Sequence, residues 1–242
     1  MSIGRMFSRP ARKIIDLIHS LIDWIYPPQC FVCGEVSDLN PFLCNQCFNK
    51  LKIFDDTPNS VVYHKDQPAN LVKALFLFDK NLQKLIHEIK YRDASYVATF
   101  LGKKLGEFYK NSEFSKCDVI IPVPLYSVRK RERTYNQAAC IAKGISKEWG
   151  VRMKEGLVKR RKNTNTQTKL NKQERKENIK DAFKVKNNSI IPEKVCLVDD
   201  VFTTGATTME LARTLKKVGV KKIYILCLAT PLHEKEVKSK GY

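Results

Sequence analysis

The stretch Val195–Thr208, V-C-L-V-D-D-V-F-T-T-G-A-T-T, decides how this chain folds. It opens with four apolar residues in a row, the pattern of a strand buried on both faces. Asp199 and Asp200 follow, then Val201, Phe202, Thr203, Thr204, Gly205, Ala206 and Thr207, and then a helix predicted from about Thr207 to Val218. In open parallel sheets, ligands sit beyond the carboxyl ends of the strands. At that position Thr203–Thr207 place backbone N–H groups and hydroxyls around an anion at a helix N-terminus. Gly205 has no Cβ and lets the backbone come close. Asp199 and Asp200 repel such an anion; their natural partners are sugar hydroxyls or a divalent cation carried by the ligand.

A phosphate on one side and hydroxyls on the other describe a ribose 5-phosphate unit. No G-x-x-x-x-G-K-[ST] element is present, which disfavours a P-loop nucleotidase. The competing reading is a purely structural strand-turn-helix with a chance acidic pair.

Outward from this stretch the pattern repeats. Leu75–Phe78, Asp118–Ile121 and Lys222–Leu228 read as further apolar strands, and Pro122-Val123-Pro124 ends the second of them. Helical spacing runs through Leu82–Ile89, Val97–Tyr109 and Asn136–Trp149, with Gly150 and Gly219 as stops. Strands apolar on both faces and alternating with helices predict an α/β fold, a parallel sheet flanked by helices. No internal repeat interrupts it. Lys159–Lys186 differs in kind, being rich in Lys, Arg, Asn, Thr and Gln. A charge run is often only a solvated surface, but one this long between core strands reads as a flexible functional loop.

The eight cysteines fall into two groups. Cys117, Cys140, Cys196 and Cys227 are scattered among apolar neighbours and read as packing residues. Cys30, Cys33, Cys44 and Cys47 spell C-x-x-C, ten residues, C-x-x-C. Two tight turns of this kind complete a tetrahedron of sulfurs around a structural zinc, with Gly34 relaxing the first and Asn40-Pro41 turning between the halves. A disulfide framework and a redox C-x-x-C are the alternatives. Four thiolates leave no open position on the metal, so its role is to fold a segment too small to bury much core. Phe31, Val32, Phe42, Leu43 and Phe48 are the apolar residues expected around it. Nucleic-acid contact and domain docking both stay open for this module.

The organisation expected is therefore 1–58, an amphipathic helix plus the four-Cys module, and 59–242, the larger domain with its basic loop at 159–186. The chain has 242 residues, 43% hydrophobic and 29% charged, with a formal net charge of +19. That composition excludes fibrous, disordered and integral-membrane proteins and favours polyanionic or phosphorylated partners. Ile14–Ile25 carries Asp16, His19 and Asp23 and is too short to span a bilayer, so no integral membrane segment and a cytoplasmic location are expected. Packing on its own protein and lying on a membrane surface are the two uses of such a helix.

The Val195–Thr208 stretch resembles the phosphoribosyl pyrophosphate (PRPP) motif of type I phosphoribosyltransferases. With the four-cysteine module, it resembles the ComF family of competence-associated proteins, in particular the ComFC-type members. The likeness spans nearly the whole chain. It includes Ile25-Tyr26-Pro27-Pro28 before Cys30, the Ile121–Leu125 strand end, the series Arg129, Arg133, Asn136, Gln137, and Gln167, Leu170, Arg175, Asn178 and Phe183. One departure stands out: members commonly carry Gly-Phe where this chain has Thr134-Tyr135.

The resemblance implies a type I phosphoribosyltransferase-like fold with an N-terminal zinc-ribbon-like module. It also implies glycosyl transfer from PRPP to a nitrogen acceptor, with Mg²⁺ on the pyrophosphate. It assigns PRPP to Val201, Phe202, Thr203, Thr204, Gly205, Ala206 and Thr207, and the pyrophosphate to Pro124 and Leu125 with Arg129 and Arg133. Asp199 and Asp200 would act on the ribose as the catalytic pair, and the basic insertion would close over PRPP. Three uses of the fold remain: a phosphoribosyltransferase linked to competence and DNA uptake in natural transformation, a competence factor that contacts single-stranded DNA and transformation proteins, and a PRPP sensor.

Overall fold

The computed structural model describes residues 25, 27–37, 42–54, 68–91, 94–126, 134–161 and 179–231. Most of the expected N-terminal helix, the Asn40-Pro41 turn, Arg129, Arg133 and the middle of the basic insertion lie outside the described residues. Two compact units are present, Met1–Lys50 and Leu51–Tyr242.

In the smaller unit, Gln29 bridges Val36 in antiparallel fashion around a turn in which Gly34 (φ 83°) donates its N–H to the Cys30 carbonyl. A short helix, α1 (Asn45–Asn49), begins at Cys44, whose sulfur accepts the Cys47 N–H. Phe31 and Phe42 stack with ring centroids 4.7 Å apart, and Leu43 is fully buried.

The larger unit is built on four strands, β1 (Leu71–Leu77), β2 (Val119–Pro122), β5 (Lys194–Val201) and β6 (Lys222–Thr230), in the order β1-β6-β5-β2. All three pairings are parallel, as the continuous apolar runs predict. The helices are α2 (Lys80–Tyr91), α3 (Ser95–Phe108), α4 (Gln137–Trp149) and α5 (Ala206–Lys217). Asp79 accepts the Leu82 N–H at the start of α2, and Asn136 accepts the Ala138 N–H at the start of α4. Gly150 closes α4 in the left-handed conformation.

Three features depart from the sequence expectation. Leu71–Ala74 extend β1 toward its N-terminus because they pair with Tyr224–Cys227. Residues 51–54 lie within the first 58 residues yet group with the larger unit, which begins at Leu51. Ile53 bridges Phe76, the Phe54 N–H reaches the Leu75 carbonyl and the Leu77 N–H reaches the Lys52 carbonyl, so this segment covers the outer edge of β1. The ends of the basic insertion are strands, not loop: β3 (Val158–Arg160) and β4 (Phe183–Val185) pair antiparallel, Arg160 opposite Phe183. Val158, Phe183 and Val185 are buried in the core, and that apolar footing overrides the polar composition around it.

Helices α3 and α4 cross at contact distance. A Cβ on Gly102 would lie 2.1 Å from the Ile141 carbonyl oxygen, and one on Gly144 would lie 2.2 Å from the Thr99 carbonyl oxygen. Neither backbone can yield without moving a helix. Gly144→Ala is expected to lower stability by about 1–3 kcal/mol, the usual cost of overpacking a close contact. Chemical denaturation measures it, and an unchanged midpoint would show that the helices separate freely.

Candidate functional site

One cavity of about 610 Å³ opens at the carboxyl end of the sheet, beside the turn from β5 into α5. Its wall includes every residue from Asp199 to Thr207, together with Pro124 and Leu125 beyond the end of β2. The structure therefore brings together all the described residues singled out for the ligand and the acidic pair. Cys30, Cys33, Cys44 and Cys47 form a cluster in the smaller unit.

The turn is held from below. The Phe202 N–H donates to the Ala229 carbonyl (2.8 Å), and the Phe202 carbonyl accepts the Thr230 hydroxyl (3.0 Å). Its ring is only 1% exposed and lies under Gly205, where a Cβ would come within 2.5 Å of it. Gly205 sits at φ 68°, a left-handed position that glycine occupies without strain, and caps α5. Thr204 receives the Ala206 N–H through its hydroxyl at 3.4 Å, and the Thr208 hydroxyl donates to the Gly205 carbonyl. A tight turn leading into a helix N-terminus suits an anion, because unsatisfied N–H groups and the positive end of the helix point the same way.

The carboxylates are half-buried at the end of β5. Asp199 accepts the Asp200 N–H (2.9 Å), and Asp200 accepts the Val201 N–H (2.8 Å). Burial, and next the negative charge of Asp200, push the Asp199 carboxyl up to about 8, although the backbone hydrogen bond and the charges of Lys90 and Arg160 oppose this. Asp200 makes an ion pair with Lys90 at 2.8 Å.

Sequence reasoning missed several members of this wall. Lys90, His87 and Tyr91 come from the last turn of α2, and nothing in the spacing of that helix separates them from a solvated face. Arg160 comes from β3 and stands over the Phe183 ring at 5.8 Å. Its signal was its place at the edge of the basic insertion. Asn136 and Gln137 also line the cavity. Asn136 donates to the Val123 carbonyl (3.1 Å) while capping α4, so it ties the loop after β2 to the next helix. Thr134 lies at φ 60°, a left-handed conformation that a β-branched residue enters only with strain.

In the smaller unit the ligand atoms of Cys30, Cys33, Cys44 and Cys47 all lie within 4.8 Å of one another, with the Cys33 and Cys44 sulfurs 3.8 Å apart. Tetrahedral zinc with bonds of about 2.3 Å requires sulfurs about 3.8 Å apart, so the cluster fits that ion. Burial pushes the Cys30 thiol up, but backbone hydrogen bonds from Cys44, Cys33 and Val32 outweigh it and bring it down to about 7. Burial and the neighbouring sulfurs drive Cys47 far the other way. Four clustered thiolates need a cation to discharge them.

Two family models match: a double zinc ribbon domain over residues 21–58 and a phosphoribosyl transferase domain over residues 135–242. The first segment contains four cysteines and no histidine, enough for one tetrahedral ion. Competence protein F of Haemophilus influenzae is 30% identical over 210 residues, 84% of each chain. DNA utilization protein YhgH of Escherichia coli is 28% identical over 207 residues, 84% of this chain and 90% of that one. Competence protein ComFC of Bacillus subtilis is 28% identical over 218 residues, 87% of this chain and 81% of that one. Among the described residues no helix is long and apolar enough to cross a membrane.

Two outcomes are expected. Elemental analysis should find one zinc per chain, and Cys30→Ser should lose it and destabilise the smaller unit; a metal-free wild type would refute the site. The second concerns pH. The unfolded Asp199 carboxyl ionises near its ordinary value of about 4, whereas the folded one keeps its proton up to about 8. The folded state thus binds more protons across that window, and its stability falls as pH rises through it. Asp199→Asn should flatten this decline in thermal unfolding; a slope identical to wild type would place the titration elsewhere.

Proposed function

The chain belongs to the competence protein F (ComF) family, and on that footing we propose that it binds PRPP in the β5–α5 cavity and transfers the phosphoribosyl group to a nitrogen acceptor, in a role tied to DNA uptake. The observation that carries this reading is one wall offering two chemistries. The Thr203–Thr207 turn at the N-terminus of α5 suits a terminal phosphate, and Asp199 and Asp200 beside it suit the ribose hydroxyls.

In the proposed reaction the acceptor nitrogen forms a bond to the anomeric carbon while the carbon–oxygen bond to pyrophosphate breaks. Negative charge grows on the leaving group and positive charge on the sugar, so fixed electrostatics carry the catalysis. Mg²⁺ arriving on the pyrophosphate would neutralise part of the leaving charge. Pro124 and Leu125 line the same cavity, which suits a pyrophosphate site there, and Arg129 and Arg133 follow them in sequence. Arg160 and the Lys- and Arg-rich segment that continues from it supply further positive charge. Asp199, protonated at neutral pH, can donate to one ribose hydroxyl oxygen while Asp200 accepts from another.

A second reading, contact with single-stranded DNA, is favoured by one feature. His87 and Tyr91, one helical turn apart on α2, hold their rings 4.7 Å from each other beside the cavity, with Tyr91 66% exposed. Exposed rings beside lysines are what unpaired bases stack on. Binding that weakens steeply with salt would support it.

Calorimetry with PRPP and Mg²⁺ tests the main reading. The wild type should bind, and Asp200→Asn should weaken binding by about tenfold or more, the worth of one lost hydrogen bond to a charged group. Equal affinity would remove the pair from the site. Pyrophosphate release with a panel of nitrogenous bases then separates an enzyme from a sensor, since a sensor binds PRPP without releasing it.

A further inference from the structure

The acidic pair is already supplied with a cation. Lys90 ends its side chain 2.8 Å from Asp200 Oδ2, and both side chains are largely sheltered, at 23% and 20% exposure. The lysine does not reach in from a loose surface. It stands in the last turn of α2, between Ile89, which is 2% exposed, and Tyr91. The last four carbonyls of a helix lack partners within it, and Ile89 owns one of them. The Tyr135 hydroxyl donates to that carbonyl. This bond ties the turn before α4 to the residue that precedes Lys90. The negative end of α2 favours the ammonium where it stands.

Resting on the ribose-phosphate reading above, we infer that Lys90 is a built-in counter-cation for Asp200, positioned through Tyr135, and that it suits the sugar end of the cavity to a neutral diol without a divalent ion. The charge arithmetic agrees. Asp199 holds its proton at neutral pH, and Asp200 and Lys90 cancel, leaving a group with little net charge. A divalent ion seated on the carboxylates would face the ammonium at close range, with the guanidinium of Arg160 in the same cavity wall. A diol meets no such repulsion and finds both donors and acceptors. Magnesium is then needed only where the ligand brings its own pyrophosphate.

Ribose 5-phosphate, which has no pyrophosphate, separates the two demands. With the zinc-loaded full chain, calorimetry should give the same affinity in buffer freed of divalent cations and in Mg²⁺. Lys90→Met should lose about tenfold in the Mg²⁺-free buffer and recover with Mg²⁺, because the ion then takes the place of the ammonium. Tyr135→Phe should shift the Mg²⁺-free affinity the same way by a smaller factor. Mn²⁺ alone, followed by its electron paramagnetic resonance, should bind Lys90→Met at the carboxylates and not the wild type. Wild-type binding that requires Mg²⁺, or Lys90→Met binding unchanged in the Mg²⁺-free buffer, overturns the inference and leaves the PRPP reading standing. No wild-type binding in either buffer overturns the ribose-phosphate reading. The manganese titration still decides the role of Lys90 in that case, since equal uptake by wild type and variant overturns it.

Discussion

The architecture of the site depends on the way Phe202 is fixed. Its N–H and carbonyl are both bonded to the end of β6, and its ring fills the space under Gly205. Because the backbone there cannot slide, the turn leaves β5 in one conformation and α5 starts at a set height above the sheet. Everything else in the cavity is referred to that turn. The two aspartates end the strand before it, the threonines follow it, and Pro124 and Leu125 stand opposite, at the end of the strand that neighbours β5. A ligand gripped by this turn meets a rigid wall, and rigidity allows preorganised charges to act without reorganising.

The parallel core was legible because burial on both faces leaves a simple mark, an unbroken apolar run such as Val195–Val198, and because Gly150 and Asn136 act through local chemistry that needs no tertiary context. The turn from β5 into α5 was legible for the same reason: its hydroxyls, glycine and carboxylates are consecutive. The β3–β4 pair was not, since three-residue strands in a polar stretch have no period to read and owe their place to packing of Val158, Phe183 and Val185. Lys90 was equally hidden. A lysine on an amphipathic helix looks like solvent-facing charge until the fold sets it against Asp200 from far along the chain.

Thr134 and Tyr135 pull in opposite directions in the turn before α4. Thr134 takes up a left-handed backbone that disfavours it, and the Tyr135 hydroxyl donates to the end of α2. That bond is of the order of 1 kcal/mol, similar in size to such strain.

The four sulfurs of the smaller unit are not equally sheltered. Cys30, Cys44 and Cys47 are buried, and the stacked rings of Phe31 and Phe42 belong to the same turns, whereas Cys33 faces solvent. Metal exchange in such a site begins at its most accessible ligand. Cys33 is therefore the doorway of the knuckle. A chelator or an oxidant would attack there first, before the three sulfurs sheltered behind it.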